Sequence, residues 1–203
     1  MNELPQVSGL ILAGGQGRRM GSVDKGLQLL RGRPMMAWVL ERFGPQVTEV
    51  MISANQNLDR YATFGPPVVA DEVGGFAGPL AGLERGLNSA SFELVATAPC
   101  DSPFLPEDLV TRLYSHLDAA SADLAVARTG TQTHPVFCLC RRALHPHLRA
   151  FLAAGGRKID AWYADLRVIE VSFDDEEVAF SNINTLADLQ SHEAEGGTCG
   201  VNR

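Results

Sequence analysis

Between Leu12 and Arg33 the chain gathers glycines and cations in a pattern suited to holding phosphate. The stretch Leu12-Ala13-Gly14-Gly15-Gln16-Gly17-Arg18-Arg19-Met20-Gly21 places four glycines between Gly14 and Gly21. Without Cβ atoms in the way, their backbone N–H groups can approach an anion closely. Arg18 and Arg19 add guanidinium forks that grip oxygens in pairs, and Lys25 adds a compact point charge four residues past Gly21. The plainer alternative is a tight turn with solvated arginines. Spacing argues against two other phosphate cradles. A dinucleotide fingerprint would need glycine where Met20 stands and an acid after the second strand, where Ser53-Ala54-Asn55 is found. A Walker loop would need Ser or Thr after its lysine, but Gly26 follows Lys25.

Two carboxylates complete the chemistry. Asp71 and Asp101 each follow a short apolar run, so both are expected at the edge of a sheet that also carries the glycine loop. Like charges beside a polyphosphate make sense around Mg²⁺, which takes one or two carboxylates plus phosphate oxygens. For either residue an ordinary loop aspartate is the alternative. Cys100 adjoins Asp101, but no histidine in the local motif could activate it, so packing is its expected role. Pro99 and Pro103 should stiffen the turn around Asp101. In the second half, His134-Pro135, Arg157-Lys158 and Asn182-x-Asn184 mark where a second substrate could be met, although each also has an ordinary structural reading.

Positioning these residues requires alternating strands and helices. Val7–Leu12, Glu49–Ser53, Pro67–Ala70 and Leu94–Ala98 read as the first four strands. Ala122–Ala127, Val136–Cys140 and Arg167–Phe173 read as later ones. Helices are expected from Pro34 to Phe43, Leu80 to Ser89, Leu105 to His116 with Glu107 and Asp108 in the first turn, Ala143 to Ala154, and Leu186 to Glu193. The expected fold is α/β: a three-layer α/β/α arrangement whose sheet is mostly parallel in its first half. Such sheets bind ligands at the carboxyl ends of their strands.

The chain has 203 residues, 45% of them apolar, which is enough for one substantial core and too short for two ordinary domains. One domain over residues 1–193 is expected, with a flexible tail over 194–203. A net charge of −7 argues against a nucleic-acid surface. Yet Gln16 to Arg33 carries five cations against the single acid Asp24, which suits a small polyanion. No apolar run approaches the roughly 20 residues of a membrane-spanning helix. The first residues resemble no export signal, so a cytoplasmic location is expected. Cys100, Cys138, Cys140 and Cys199 lack zinc-ligand spacing and read as reduced thiols, with Cys138 and Cys140 on one strand face.

The stretch LAGGQGRRMGSVDKGLQLLRGRP resembles the signature of the molybdenum cofactor guanylyltransferases, within the wider set of nucleotidyltransferases. Four further segments match in order: Gly78-Pro79-Leu80-Ala81-Gly82, Pro99-Cys100-Asp101-Ser102-Pro103, His134-Pro135-Val136 and Asn182-Ile183-Asn184-Thr185. The resemblance spans about residues 7 to 190 and implies a Rossmann-like nucleotidyltransferase fold. It implies nucleotide contacts from Leu12, Ala13, Gly14, Gly15, Gly17, Arg18, Gly78, Pro79 and Leu80, a phosphate contact from Lys25, Asp101 as metal ligand, and Asp71 as nucleotide or metal neighbour. His134, Arg157 and Lys158 would face a pterin acceptor, with Asn182 and Asn184 near metal and phosphates. Gly14 favours GTP, since CTP-using relatives tend to carry alanine there. The chain departs from the family pattern at Ser22, where a glycine is usual, and at Ser53, where an asparagine often contacts nucleotide. Asn55 is the candidate substitute.

The reaction implied is attack by the acceptor's terminal phosphate on the α-phosphorus of GTP, with pyrophosphate leaving. Mg²⁺ is the expected metal ion, while Lys25 and Arg19 stabilise the departing charge. The partners implied are GTP, a molybdopterin-type cofactor, and molybdoenzymes or their chaperones. The alternatives are a CTP-using cofactor cytidylyltransferase, a sugar-phosphate nucleotidyltransferase, or a non-catalytic nucleotide-binding regulator.

Overall fold

The computed structural model describes residues 5–13, 24–70 and 78–180. Its first strand, β1 (Val7–Leu12), is buried from Val7 to Ile11, as expected for a strand covered on both faces. A 3₁₀ turn (Lys25–Leu27) then leads into a small antiparallel pair, β2 (Leu29–Leu30) and β3 (Arg33–Pro34). Helix α1 (Met35–Phe43) follows, then β4 (Glu49–Ser53), the short helix α2 (Leu58–Ala62) and β5 (Val68–Val69). After these come α3 (Pro79–Ser89), β6 (Leu94–Pro99), α4 (Leu109–Ala119), β7 (Leu124–Thr129) and β8 (Gln132–Arg141). The described chain closes with α5 (His145–Ala153), α6 (Ile159–Tyr163), β9 (Val168–Ser172) and a 3₁₀ segment over Asp174–Phe180.

Seven strands form one sheet in the order β5-β4-β1-β6-β8-β7-β9. All the pairings are parallel except the two made by β8, which runs against both β6 and β7. The sheet is therefore mostly parallel and Rossmann-like. Helices cover both faces. Met36, Val39 and Phe43 of α1 and Leu109, Val110, Leu113 and Leu117 of α4 pack with Ile11 and Ile52 on one side. Leu80, Leu83 and Leu87 of α3, Leu148 and Leu152 of α5, and Trp162 of α6 pack with Leu10 and Val95 on the other. Each large side chain buried in this way contributes about 1.5–3 kcal/mol. The buried Cys138 and Cys140 share the second of these faces, and both are free thiols.

Two expectations need correction. Helix α4 begins at Leu109, four residues later than expected, because Leu105 precedes Pro106 and a residue before proline is disfavoured in helical backbone. Glu107 and Asp108 therefore lie ahead of the helix rather than in its first turn, and Asp108 instead approaches Arg112 at 3.8 Å. Pro34 precedes α1 instead of opening it: its φ of −54° and ψ of 139° are extended, and it pairs with Leu29. Lys158 is the N-cap of α6. The helix expected over Leu186–Glu193, the tail over 194–203 and Cys199 lie outside the described residues.

Candidate active site

The chain passes from β1 to β4 on one side and returns after β5 to β6 on the other, so the carboxyl ends of β1 and β6 flank the point where the strand order reverses. In open sheets of this kind ligands collect there. Leu12 pairs with Pro99, and the Cys100 amide donates to the Leu12 carbonyl at 3.1 Å. That register sets Asp101 beside the start of the glycine loop. Ala13 is nearly buried, and its amide is tied to the Ser53 carbonyl at 2.8 Å. Gly14, Gly15, Gly17, Arg18, Arg19 and Ser22 lie outside the described residues.

Lys25 reaches this same rim. Its ammonium lies 2.9 Å from Asp101 Oδ2, and the two side chains keep only 24% and 11% of their exposure. A charge pair this sheltered from water is screened less than one on the open surface. Two residues 76 apart in sequence are thus joined at one point. Asp24, just before Lys25, accepts hydrogen bonds from the buried Tyr61 hydroxyl on one oxygen and from Asn57 Nδ2, at 2.9 Å, on the other. Gly26 sits against this group, where an added Cβ would lie 2.6 Å from Tyr61 Oη and 3.2 Å from Cys100 Sγ. Burial pushes the Cys100 thiol well above its ordinary pKa, and the charges of Asp101 and Asp24 push it further. Cys100 is accordingly a packed, protonated thiol rather than a nucleophile.

The residues expected to line the nucleotide elsewhere fall around the same rim. Gly78 precedes α3 with φ +69°, a backbone that glycine adopts most readily, and Pro79 begins the helix, with Leu80 buried beneath it. Asn55 is exposed just beyond β4, while Ser53 is buried at its end. Asp71 lies outside the described residues.

On the other side of the rim the antiparallel direction of β8 decides the placement. Its amino-terminal end lies at the carboxyl end of β6, and this brings His134 toward the same edge of the sheet. The pairing with β7 jumps from Val126↔Cys138 to Ala127↔His134, leaving Pro135, Val136 and Phe137 in a bulge. A proline, which has no N–H to donate, suits such a break. His134 Nε2 lies 2.7 Å from Thr129 Oγ1, and the ring stacks on Phe180 at 4.8 Å with Phe137 at its edge. Burial lowers the pKa of His134, which favours the neutral ring at pH 7. Helix α5 runs antiparallel to α3, since His145 meets Glu84 while Arg142 meets Ala90. Its far end therefore returns toward the rim with Arg157 and Lys158. The Arg157 guanidinium donates to the carbonyls of Leu152 and Gly156, which caps α5. Asn182 and Asn184 lie outside the described residues.

The sequence alone missed Asp24 as a structural acceptor, together with Tyr61 and Asn57. Asp24's position next to Lys25 was the one available signal. Among the described residues no three His, Cys, Asp or Glu side chains gather at metal-ligating distance. The donor at the rim is a carboxylate, Asp101. One hard oxygen ligand of this kind fits a hard divalent cation whose shell is completed by phosphate oxygens and water.

Residues 9–168 match the model of a family described as the MobA-like NTP transferase domain. A molybdenum cofactor guanylyltransferase of Cupriavidus taiwanensis is 52% identical over 193 residues, covering 93% of this chain and 96% of that protein. One from Burkholderia ambifaria is 51% identical over 194 residues, covering 91% and 94%. Among solved structures, molybdopterin-guanine dinucleotide biosynthesis protein A from Archaeoglobus fulgidus superposes with a TM-score of 0.77 at 25% identity, covering 94% of this chain and 98% of its own. A 4-diphosphocytidyl-2C-methyl-D-erythritol synthase from Anaerococcus prevotii shares the fold at a TM-score of 0.72 and 15% identity, covering 95% and 98%.

Proposed function

The chain belongs to the MobA-like NTP transferase family, and on that premise we propose that it transfers GMP from GTP to the terminal phosphate of a molybdenum-molybdopterin acceptor, releasing pyrophosphate. The observation that carries this reading is the Lys25–Asp101 pair, 2.9 Å apart at the strand-order switch point. A cation and an anion held at one rim serve opposite ends of one reaction, the first drawing phosphate oxygens and the second a metal ion. The close relatives' names and the glycine at position 14 both support guanine. No observation favours the cytidylyl, sugar-phosphate or purely regulatory alternatives.

In the proposed reaction an oxygen of the acceptor phosphate bonds to the α-phosphorus as the bond to the β-phosphate oxygen breaks, and the electron pair leaves with pyrophosphate. Leu12, Ala13 and Gly14 pack against the base, with Gly78, Pro79, Leu80 and Asn55 completing the nucleotide side. The backbone of Gly15 and Gly17 and the Arg18 side chain hold the triphosphate. Lys25 and Arg19 neutralise charge on the departing pyrophosphate, so little reorganisation is needed at the moment of transfer. Mg²⁺ on Asp101, with Asp71 as neighbour, would screen the phosphates when bound. His134, Arg157, Lys158, Asn182 and Asn184 orient the acceptor. We place the reaction in the cytoplasm, with molybdoenzymes or their chaperones receiving the product.

Pyrophosphate release from GTP, with molybdenum-molybdopterin and magnesium present, tests this directly. Release dependent on both substrates, and fastest with GTP among GTP, CTP, ATP and UTP, is expected. Faster release with CTP would overturn the choice of base, and no release from any of the four would overturn the assignment as an enzyme.

A further inference from the structure

Beyond Asn55, the segment joining β4 to β5 has no part in the reaction as described, yet it contacts the base of the lysine turn. Tyr61 lies on α2, fully buried among core side chains, with its hydroxyl donated to Asp24 Oδ1. Asn57, just before α2, donates to Asp24 Oδ2 at 2.9 Å. Asp24 is the residue before Lys25, so both oxygens of its carboxylate tie the lysine turn to α2.

Two details show that the turn is fitted to these groups. Asn57 takes a left-handed backbone, with φ of 52°, a conformation that asparagine adopts more readily than most other non-glycine residues. The residue after Lys25 is Gly26, where any Cβ would stand 2.6 Å from Tyr61 Oη and 3.2 Å from Cys100 Cβ. The backbone on either side of Lys25 is thus seated on Tyr61, by a hydrogen bond through Asp24 and by close approach through Gly26. Burial raises the pKa of the tyrosine hydroxyl, which keeps it a neutral donor. From this seat Lys25 extends 2.9 Å from Asp101.

We propose that Tyr61 and Asn57 are positioning residues for Lys25: by fixing Asp24 they set the point at which the ammonium meets the leaving phosphates. This rests on the function proposed above. A lysine is flexible, with four rotatable bonds that an unanchored backbone leaves free to wander, and a displacement of about 1 Å in a charged group can cost on the order of 10²-fold in rate. Anchoring the turn removes that freedom before substrate arrives.

The test compares Tyr61→Phe and Asn57→Gly with the wild type, alone and in a Lys25→Met background. Phenylalanine keeps the buried ring and removes only the hydroxyl, and glycine accepts the left-handed backbone while removing the side chain that reaches Asp24. Tyr61→Phe should lower kcat about tenfold and Asn57→Gly about threefold, with the KM for the acceptor unchanged. In the Lys25→Met background neither should change kcat as much as twofold, because the group they position is gone. Wild-type kcat in both single variants, or the same loss with Lys25 absent, would overturn the proposal. If Tyr61→Phe fails to fold by circular dichroism, Asn57→Gly decides the matter alone. If the wild type releases no pyrophosphate, the failure lies with the function. The inference is then decided by calorimetric binding of inorganic pyrophosphate, which Tyr61→Phe must weaken about fivefold only while Lys25 is present.

Discussion

The two halves of the rim are built from different materials. Around the ends of β1 and β6, fixed charges meet: Lys25 on Asp101, with Asp24 held by Tyr61 and Asn57. Around the ends of β7, β8 and β9 the organising groups are rings, with His134 stacked on Phe180 and Phe137 and Phe173 near by. The first half joins residues far apart in sequence through a partly buried ion pair and hydrogen bonds to a carboxylate. The second presents an imidazole that burial keeps neutral, bonded to Thr129. A triphosphate asks for the first kind of surface, and a flat heterocyclic acceptor asks for the second. The division of the rim thus follows the division of substrates in the proposed reaction.

Breaking the charged half should have the largest effect. Asp101→Asn is expected to lower pyrophosphate release by about 10³-fold while the thermal transition stays cooperative, since the carboxamide fills the same volume. Turnover within a fewfold of wild type at saturating magnesium would remove Asp101 from the chemistry. Next in size is Gly26→Ala, whose methyl would press on Tyr61 and Cys100. It should cost about 2 kcal/mol of stability in urea denaturation, the usual range for overpacking a tight site. Full stability in that variant would show that the turn is not seated as described.

The ring-built half gives the smallest effect and the most specific one. Because burial lowers the pKa of His134 below its ordinary 6.5, the unfolded chain takes up this proton first as the pH falls. The stability tied to the neutral ring is complete above pH 6.5 and declines as the pH drops through that value toward the lowered one. His134→Gln should flatten this part of the stability profile. It should also raise the KM for the acceptor while leaving the thermal shift produced by GTP unchanged. A diminished GTP shift would mean that the two halves are not separate.

How much of this was legible in the sequence follows the same line. Glu49–Ser53 could be read to the residue as a strand because it is a short apolar run bounded by polar residues, and the placing of Lys25 and Asp101 at one edge was expected because both lie beyond the carboxyl ends of apolar runs. The reversal of β8 could not be read, since apolar runs carry no direction; only Pro135 hinted at its bulge. Helix α2 is five residues long, too short to show a helical period, and this hid Tyr61 behind Asn57-Leu58-Asp59-Arg60. Asp24 counted in the sequence only as one acid among cations, because a hydrogen bond to a residue 37 positions away leaves no local mark. Spacing announces groups that meet at strand ends, whereas groups that brace them from behind depend on tertiary contacts.

Lys25 and Asp101 are expected to take up one triphosphate together. Thermal unfolding with magnesium and GTP at about 100 times its dissociation constant should raise the wild-type midpoint by about 5–10 °C. The Lys25→Met, Asp101→Asn double variant, folded in the absence of ligand, should show almost no shift at the same concentrations. A double variant stabilised as much as the wild type would show that the pair does not hold the nucleotide.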